Sequence, residues 1–238
     1  METRKKAKEK PRFAEIYWTA GIIICALGVR LASNSGFGVS MVAAPALVFF
    51  RFLAKFIPGI TYGIAEYTFH AILLVLLAVI LRRFKWKYPV AFLTGFLFGL
   101  ALDGWGLVFG VEVYSSLASR IIAAAAGALV TAIAIAGFLR SYLPQQVYEL
   151  IVTEVTDKYK LNIGKVKWCY DVASLILSVV MMLLLLRTFD TSVVGIGTLI
   201  ITVVNAPLIA MFGKILDRFF DPDSAFPGFK KWFEKIFD

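Results

Sequence analysis

Gln145-Gln146-Val147-Tyr148-Glu149-Leu150-Ile151-Val152-Thr153-Glu154-Val155-Thr156-Asp157-Lys158-Tyr159 is the stretch on which the architecture of this chain turns. Val147, Leu150, Ile151 and Val155 fall on one helical face, while Glu149, Glu154, Asp157 and Lys158 break up any run long enough to cross a bilayer. A stripe at that spacing marks an amphipathic helix that lies in an interface or enters partway. A second segment, 40–56, is apolar but holds Pro45, Arg51 and Lys55. Both read as short helices that turn back without crossing.

Around them the sequence predicts six longer apolar spans, at roughly 14–33, 62–82, 88–112, 119–139, 164–187 and 192–215, each near the ~20 residues a helix needs to traverse a bilayer core. Composition agrees. With 60% hydrophobic and 17% charged residues in 238, and a mean hydropathy of +0.80, too little polar surface exists to coat a water-soluble globule. No ten-residue alternating pattern suggests an outer-membrane barrel. Arg4, Lys5, Lys6, Lys8, Lys10 and Arg12 feed directly into the first span without a small-residue cleavage site, so that span is expected to be retained.

Lys and Arg near span ends stay cytoplasmic. With six spans and the N-terminus inside, all but five of the 25 basic residues fall on that side, the exceptions being Arg30, Arg51, Lys55, Arg120 and Arg187. Letting 40–56 cross would throw the cluster Arg82, Arg83, Lys85 and Lys87 outside. The net charge of +9 then reads as a topology signal with attraction to anionic lipid heads, not nucleic-acid binding. The expected location is a bacterial inner membrane, with both termini cytoplasmic. Cys25 and Cys169 fall in apolar helices as small hydrophobes, and the single His70 leaves no His-cluster metal site; no cofactor is implied.

The second half repeats the first at an offset of about 101 to 105 residues. Ile60-Thr61-Tyr62-Gly63 matches Leu161-Asn162-Ile163-Gly164, after which Tyr67 pairs with Trp168, Phe69 with Tyr170 and His70 with Asp171. Arg83-Phe84 resembles the Arg187-Thr188-Phe189 end, and Leu93-Thr94-Gly95 lies opposite Gly197-Thr198-Leu199. Each unit is span, half-helix, span, span, and an odd number of crossings inverts the second unit. The expected fold class is therefore an all-α polytopic membrane protein, with six transmembrane helices as two inverted three-helix repeats, each with a short non-crossing half-helix. The divisions are a basic cytoplasmic N-terminus (1–13), a first repeat (14–112), an outer loop (113–118), a second repeat (119–217) and a cytoplasmic amphipathic tail (218–238). In the tail, Phe229, Trp232, Phe233, Ile236 and Phe237 share a face suited to the membrane surface.

Ionisable side chains at membrane depth are expensive and mark cavities or partners. Arg30 and Asn34 on span 1, Glu66 and His70 on span 2 and Asp103 on span 3 come from one unit; Asp171 and Asn205 come from the other. Glu66 and His70 are four apart on one helical face, a spacing suited to a proton-carrying pair; either Arg30 or Glu66 also reads as an anchor or a structural ion pair. Lys167 is the alternative partner of Asp171, and Gln145, Gln146 and Glu149 lead the inner half-helix. Asn205 with Pro207 suggests a locally broken helix. Gly36 and Gly38, and Gly195 and Gly197, form loops that bring backbone close to an anion or to a neighbouring segment. Trp18, Trp86, Tyr88, Trp105 and Tyr114 sit near span ends as an aromatic belt.

Gly195-Ile196-Gly197-Thr198-Leu199 with Asn205-Ala206-Pro207-Leu208-Ile209, and Leu27-Gly28-Val29-Arg30 leading into Gly36-Phe37-Gly38-Val39-Ser40, resemble the YczE/YyaS/YitT family of bacterial membrane proteins over about residues 14–217. Where that family carries Pro and an acid after the first glycine loop, Met41 to Ala43 stand here, and Pro144-Gln145-Gln146 keeps only the proline. The resemblance implies an integral membrane protein with a transport role and no named substrate.

These features predict a small secondary transporter, with a small-molecule substrate and membrane lipids as partners and single-chain or homodimeric action both open. The alternative is a non-transporting membrane scaffold that stabilises a biosynthetic partner. No nucleophile and base, metal cluster or phosphate loop points to an enzyme. Single cysteines replacing Arg83 or Lys87, in a chain whose Cys25 and Cys169 are changed to Ser, should react with an impermeant maleimide only after the cytoplasmic face is opened. Labelling in intact cells would reverse the orientation.

Overall fold

The computed structural model describes residues 14–221 and 223–237; the basic run 1–13 lies outside the described residues, as do the tail side chains of Phe229, Ile236 and Phe237. It is all-helical: α1 (Ala14–Ser35), α2 (Ala44–Leu53), α3 (Tyr62–Leu81), α4 (Lys87–Phe109), α5 (Leu117–Phe138), α6 (Val147–Tyr159), α7 (Ile163–Met181), α8 (Ile196–Phe219) and α9 (Pro227–Phe237). A π-helical turn, Met182–Leu186, prolongs α7. Among the described residues, α1, α3, α4, α5, α7 with its π turn, and α8 are long and apolar enough to cross a membrane. The chain is thus built as a multi-pass membrane protein. The two short helices stand where the sequence places them.

Helix boundaries follow local chemistry. The Thr61 hydroxyl accepts from the Ile64 amide (3.2 Å) at the start of α3, and the Asn162 side chain accepts from the Lys165 amide (3.2 Å) at the start of α7, each a side-chain N-cap. At the far ends of the same two spans, Arg82 and Arg187 both adopt left-handed backbone, with φ of 48° and 56°. Caps and ends thus recur at matching places in the two halves. Span 3 ends at Phe109 rather than near 112, because Gly110 turns out of the helix at φ 76°. The last span starts at Ile196 rather than 192, since the preceding residues are spent in a turn, and it runs on to Phe219.

Close backbone crossings set the packing. α1 and α5 meet at Gly28 and Gly127, where a Cβ on Gly28 would lie 2.9 Å from the Gly127 carbonyl oxygen, and one on Gly127 2.8 Å from that of Gly28. Small residues let helices approach to this distance, and in lipid such packing replaces the hydrophobic drive between helices. α3 crosses α4 in the same manner, with a Cβ on Gly99 falling 2.7 Å from the Gly63 carbonyl oxygen. α1 also packs on α4 and α5 on α8, while α2 lies against α3 and α7, and α6 against α7, α3 and α4. The stripe read on α6 is satisfied by protein: Val147 and Leu150 are buried with Leu77, Leu81, Tyr88 and Ala91, and Ile151 and Val155 pack against them. Exposed side chains such as Val75, Val79, Leu184 and Val203 form an apolar outer surface suited to lipid.

Each short helix is also pinned by charge to the hairpin of the other half. Arg51 of α2 pairs with Asp190 and donates to the Ser192 hydroxyl at 2.8 Å, in the turn between α7 and α8. Glu154 of α6 accepts from Arg83 (3.1 Å), Lys85 (2.8 Å) and Lys87 (2.5 Å), between α3 and α4. Tyr88 donates to the same carboxylate at 3.2 Å. Burial opposes the charged form of Glu154, yet the hydrogen bonds from Lys85 and Lys87 outweigh it and hold its carboxyl below the ordinary glutamate range. The aromatics expected near span ends differ in their contacts. Trp86 is exposed, but Trp18 donates to the Pro144 carbonyl, Trp105 to that of Ile23, and Tyr88 is buried.

Gly28→Leu or Gly127→Leu should lower the thermal midpoint in detergent sharply, since overpacking a tight contact costs about 1–3 kcal/mol and more where backbone cannot yield. Gly104→Ala, where a Cβ meets nothing within 4 Å, should leave the midpoint unchanged or slightly raised.

Candidate functional site

A cavity of about 190 Å³ lies where the two halves face each other, lined from α1, α3, α4, α5, α6, α7, α8 and the turn before α2. Its polar wall comes from both halves. Glu66 stands one turn into α3; Gln146 is the residue preceding α6, and Tyr148 and Glu149 fill that helix's first turn; Lys167 and Asp171 lie on α7, and Thr202 and Asn205 on α8. The remainder is hydrocarbon, including Cys25, Val29, Phe98 and Phe138.

Glu66 is 1% exposed. Tyr148 donates its hydroxyl to Glu66 Oε1 at 2.8 Å, which carries a contact from one half to the other. His70, wholly buried, sits one turn further along α3, with its Nε2 3.7 Å from the same oxygen and its ring edge-on to Tyr148 at 4.6 Å. Gly95 of α4 makes room for the imidazole, since a Cβ there would lie 3.1 Å from two ring carbons. Several buried polar atoms here have no protein partner: Glu66 Oε2, both His70 nitrogens, Gln146 Nε2 and Glu149 Oε2. Buried groups left unmatched cost about 1–3 kcal/mol each, so a cluster of them calls for an occupant or a role.

On α7, Lys167 donates to Asp171 Oδ1 at 2.6 Å across one helical turn. Burial pushes the Glu149 carboxyl above the ordinary glutamate range; Lys167 pulls against this shift and Asp171 adds to it. Asn205 reaches the cavity from an α8 that stays helical through Pro207. The break expected there does not occur, because proline removes one hydrogen bond that a long membrane helix absorbs.

Four of the expected residues bind the scaffold rather than line the cavity. Arg30, 3% exposed, donates to the Leu102 carbonyl through Nε (3.3 Å) and Nη2 (3.0 Å), so it forms no pair with Glu66. Asn34 donates to the carbonyls of Phe109 (3.2 Å) and Gly110 (3.1 Å). Asp103 accepts from the Thr61 hydroxyl (2.5 Å) and the Gly63 amide (2.8 Å), clamping the start of α3. His70 stands behind Glu66 and Tyr148. Gly36, Gly38, Gly195 and Gly197 bring the two loops together: Gly197 donates to the Phe37 carbonyl (2.8 Å) and Val39 to that of Val193 (3.1 Å). Gly36 and Gly38 have φ of 66° and 102°, and a Cβ on Gly195 would lie 2.6 Å from the Phe37 oxygen. The backbone approach expected of these loops is thus formed.

Among polar lining residues the sequence reading missed Thr131, Thr202 and, more consequentially, Tyr148. It sits beside the apolar stripe of α6, and only its register one residue before Glu149 hinted that it turns inward. Gln146, Glu149 and Lys167 were visible as polar residues but were not joined into one site, because that requires knowing that α6 packs on both α3 and α7.

A model of a family of unknown function, DUF6198, matches residues 13–214. The chain belongs to the DUF6198 family. It is also 28% identical over 208 residues to the uncharacterized protein YyaS of Bacillus subtilis (strain 168), covering 86% of this chain and 94% of YyaS. That likeness agrees with the resemblance carried by the glycine loops. No solved structure matches. In this DUF6198 member the matched region includes every residue named above on the cavity wall and stops before the end of α8.

Because folding raises the Glu149 carboxyl, the folded chain holds that proton more tightly than the unfolded one. This contribution to stability is full at low pH and is lost as pH rises from the ordinary glutamate value of 4.5 through the raised value of the folded state. The thermal midpoint of the wild-type chain should therefore fall more steeply with rising pH than that of Glu149→Gln; parallel slopes would count against a buried titrating carboxyl.

Proposed function

We propose that this protein is a small secondary transporter of a bacterial inner membrane, both termini cytoplasmic, moving a small polar or charged metabolite through a site between two inverted three-helix repeats. The observation that carries the reading is the cavity whose polar wall is supplied by α3 from one half and by α6, α7 and α8 from the other. Transporter sites characteristically lie at such a repeat interface, next to helices that do not cross.

The pattern of packing supports the repeat. α1 on α4 is matched by α5 on α8, α2 on α3 by α6 on α7, and α2 on α7 by α6 on α3. Side-chain N-caps and left-handed ends recur at corresponding places on α3 and α7. The Arg51–Asp190 pair and the Glu154 cluster lie where each half-helix meets the opposite hairpin. In a rocking mechanism, opening one side breaks one of these contacts while the other holds.

Reconstituted vesicles test this directly. Cysteines at positions 51 and 192, joined by a short bifunctional thiol reagent in a chain lacking Cys25 and Cys169, should stop uptake, and a cleavable linker should restore it on reduction. Uptake at the unlinked rate with the bridge in place would refute rocking, and no uptake of any polar metabolite, with or without an ion gradient, would favour a scaffold.

A further inference from the structure

We propose that the central cavity binds a small protonated amine carrying a neighbouring hydrogen-bond acceptor, of the amino-alcohol type. This rests on the transport reading only for its biological use; binding itself does not require it.

Charge decides the class. Three carboxylates, Glu66, Glu149 and Asp171, line the space, and Lys167 is the single cation among the lining residues. That lysine is already paired with Asp171 at 2.6 Å, while Arg30 is committed to the Leu102 carbonyl and does not reach the wall. An entering anion finds no uncommitted cation on the wall to pair with. An ammonium instead meets two acids, Glu66 and Glu149, either of which can lose its proton to pair with it.

Hydrogen bonding narrows it further. Glu66 Oε2 and Glu149 Oε2 are buried acceptors without donors, and Gln146 Nε2 is a buried donor without an acceptor. Glu66 and Gln146 are 1% and 6% exposed, so water does not stand in for those partners freely. The matching ligand donates from a positively charged nitrogen to two carboxylates and offers one oxygen to the glutamine amide. A space of about 190 Å³ is below the roughly 300–1,000 Å³ of drug-sized pockets, which fits a molecule of few heavy atoms. Charge-assisted hydrogen bonds of this kind are about twice as strong as neutral ones.

The groups facing Glu149 are Lys167, Tyr170 and Asp171 on α7, Glu66 on α3 and Cys25 on α1. Burial favours the protonated Glu149 carboxyl; an ammonium beside it restores the charged form and displaces the proton. Amine affinity should therefore rise with pH.

The test uses the full chain in lipid nanodiscs, with the thermal midpoint and calorimetry read against ethanolamine, guanidinium, tetramethylammonium and glycolate. Ethanolamine should raise the midpoint in a saturable manner, more so at higher pH, with glycolate inert and tetramethylammonium, which lacks N–H donors, at least about tenfold weaker. Glu66→Gln and Glu149→Gln should each weaken ethanolamine by about tenfold or more, while Glu112→Gln in the loop after α4 should not change it. Ligand-free midpoints check folding, and Glu149→Gln alone decides the matter if Glu66→Gln fails to fold. Glycolate binding as tightly as ethanolamine, ethanolamine binding that survives in Glu149→Gln, or no shift with ethanolamine, whatever guanidinium does, would overturn the proposal. Vesicle uptake separates the two readings. Saturable ethanolamine binding without uptake sinks transport and leaves this site standing, whereas uptake of glycolate but not ethanolamine sinks this site and leaves transport standing.

Discussion

The approach of α1 to α5 at Gly28 and Gly127 is the contact on which the rest of the arrangement depends. In a bilayer, lipid tails are as apolar as leucine, so helices gain little from hiding apolar faces from each other; shape and backbone proximity decide which pairs form. Two glycines facing each other fix these first spans at backbone distance, and α4 and α8 then fall on their flanks. Thr131, whose hydroxyl occupies the space beside Gly28, also lines the cavity together with Cys25, Val29 and Ile135. The crossing is therefore the cavity's wall. Any residue that pushed α1 from α5 would change the space as well as the fold.

Non-crossing helices are tolerated at membrane depth only where protein, not lipid, surrounds them. α6 meets that condition by burying Val147 and Leu150 against α3 and α4, and α2 by burying residues 44–48, with Phe49 and Phe50 set against Phe69 and Tyr62. This placement brings function as well as stability. Since α6 starts inside the bundle, its first turn carries Tyr148 and Glu149 to the cavity, while its last two turns carry Glu154 to the basic hairpin. A full span in the same position would carry neither, because its polar residues would face hydrocarbon.

Much of this was legible in the sequence, for a physical reason that differs from level to level. Span number and the two short helices follow from run length and from the charges in 40–56 and 145–159, because transfer of Glu149, Glu154 or Arg51 into lipid is costly wherever they end up. Of the cavity, Glu66, Asp171 and Asn205 were found by the same reasoning. Depth alone could not separate them from Arg30, Asn34 and Asp103, which are equally polar but spend their hydrogen bonds on the carbonyls of Leu102, Phe109 and Gly110 and on the start of α3. Which polar group is consumed by backbone and which is left over is a property of helix packing. One sequence without its fold does not hold that information.

The two charged pins of the half-helices have opposite polarity, and the positive-inside rule accounts for it. In the proposed orientation the α3–α4 hairpin is cytoplasmic, so its Arg83, Lys85 and Lys87 are demanded by topology whatever they bind. The half-helix that docks on that hairpin must then bring an acid, and Glu154 supplies it. The hairpin between α7 and α8 lies on the other side, where an excess of basic residues would misdirect insertion; it carries Asp190, and the docking half-helix brings Arg51 instead. Were the halves the inverted repeats proposed above, the second could not keep the charges of the first, because the rule that orients the chain acts on the two sides of the membrane with opposite sign. Some packing pairs recur across the halves, α1 on α4 with α5 on α8 and α2 on α3 with α6 on α7, though α3 on α4 has no such counterpart among the described residues; van der Waals contact does not depend on which side is cytoplasmic, whereas ion pairs would have to swap partners.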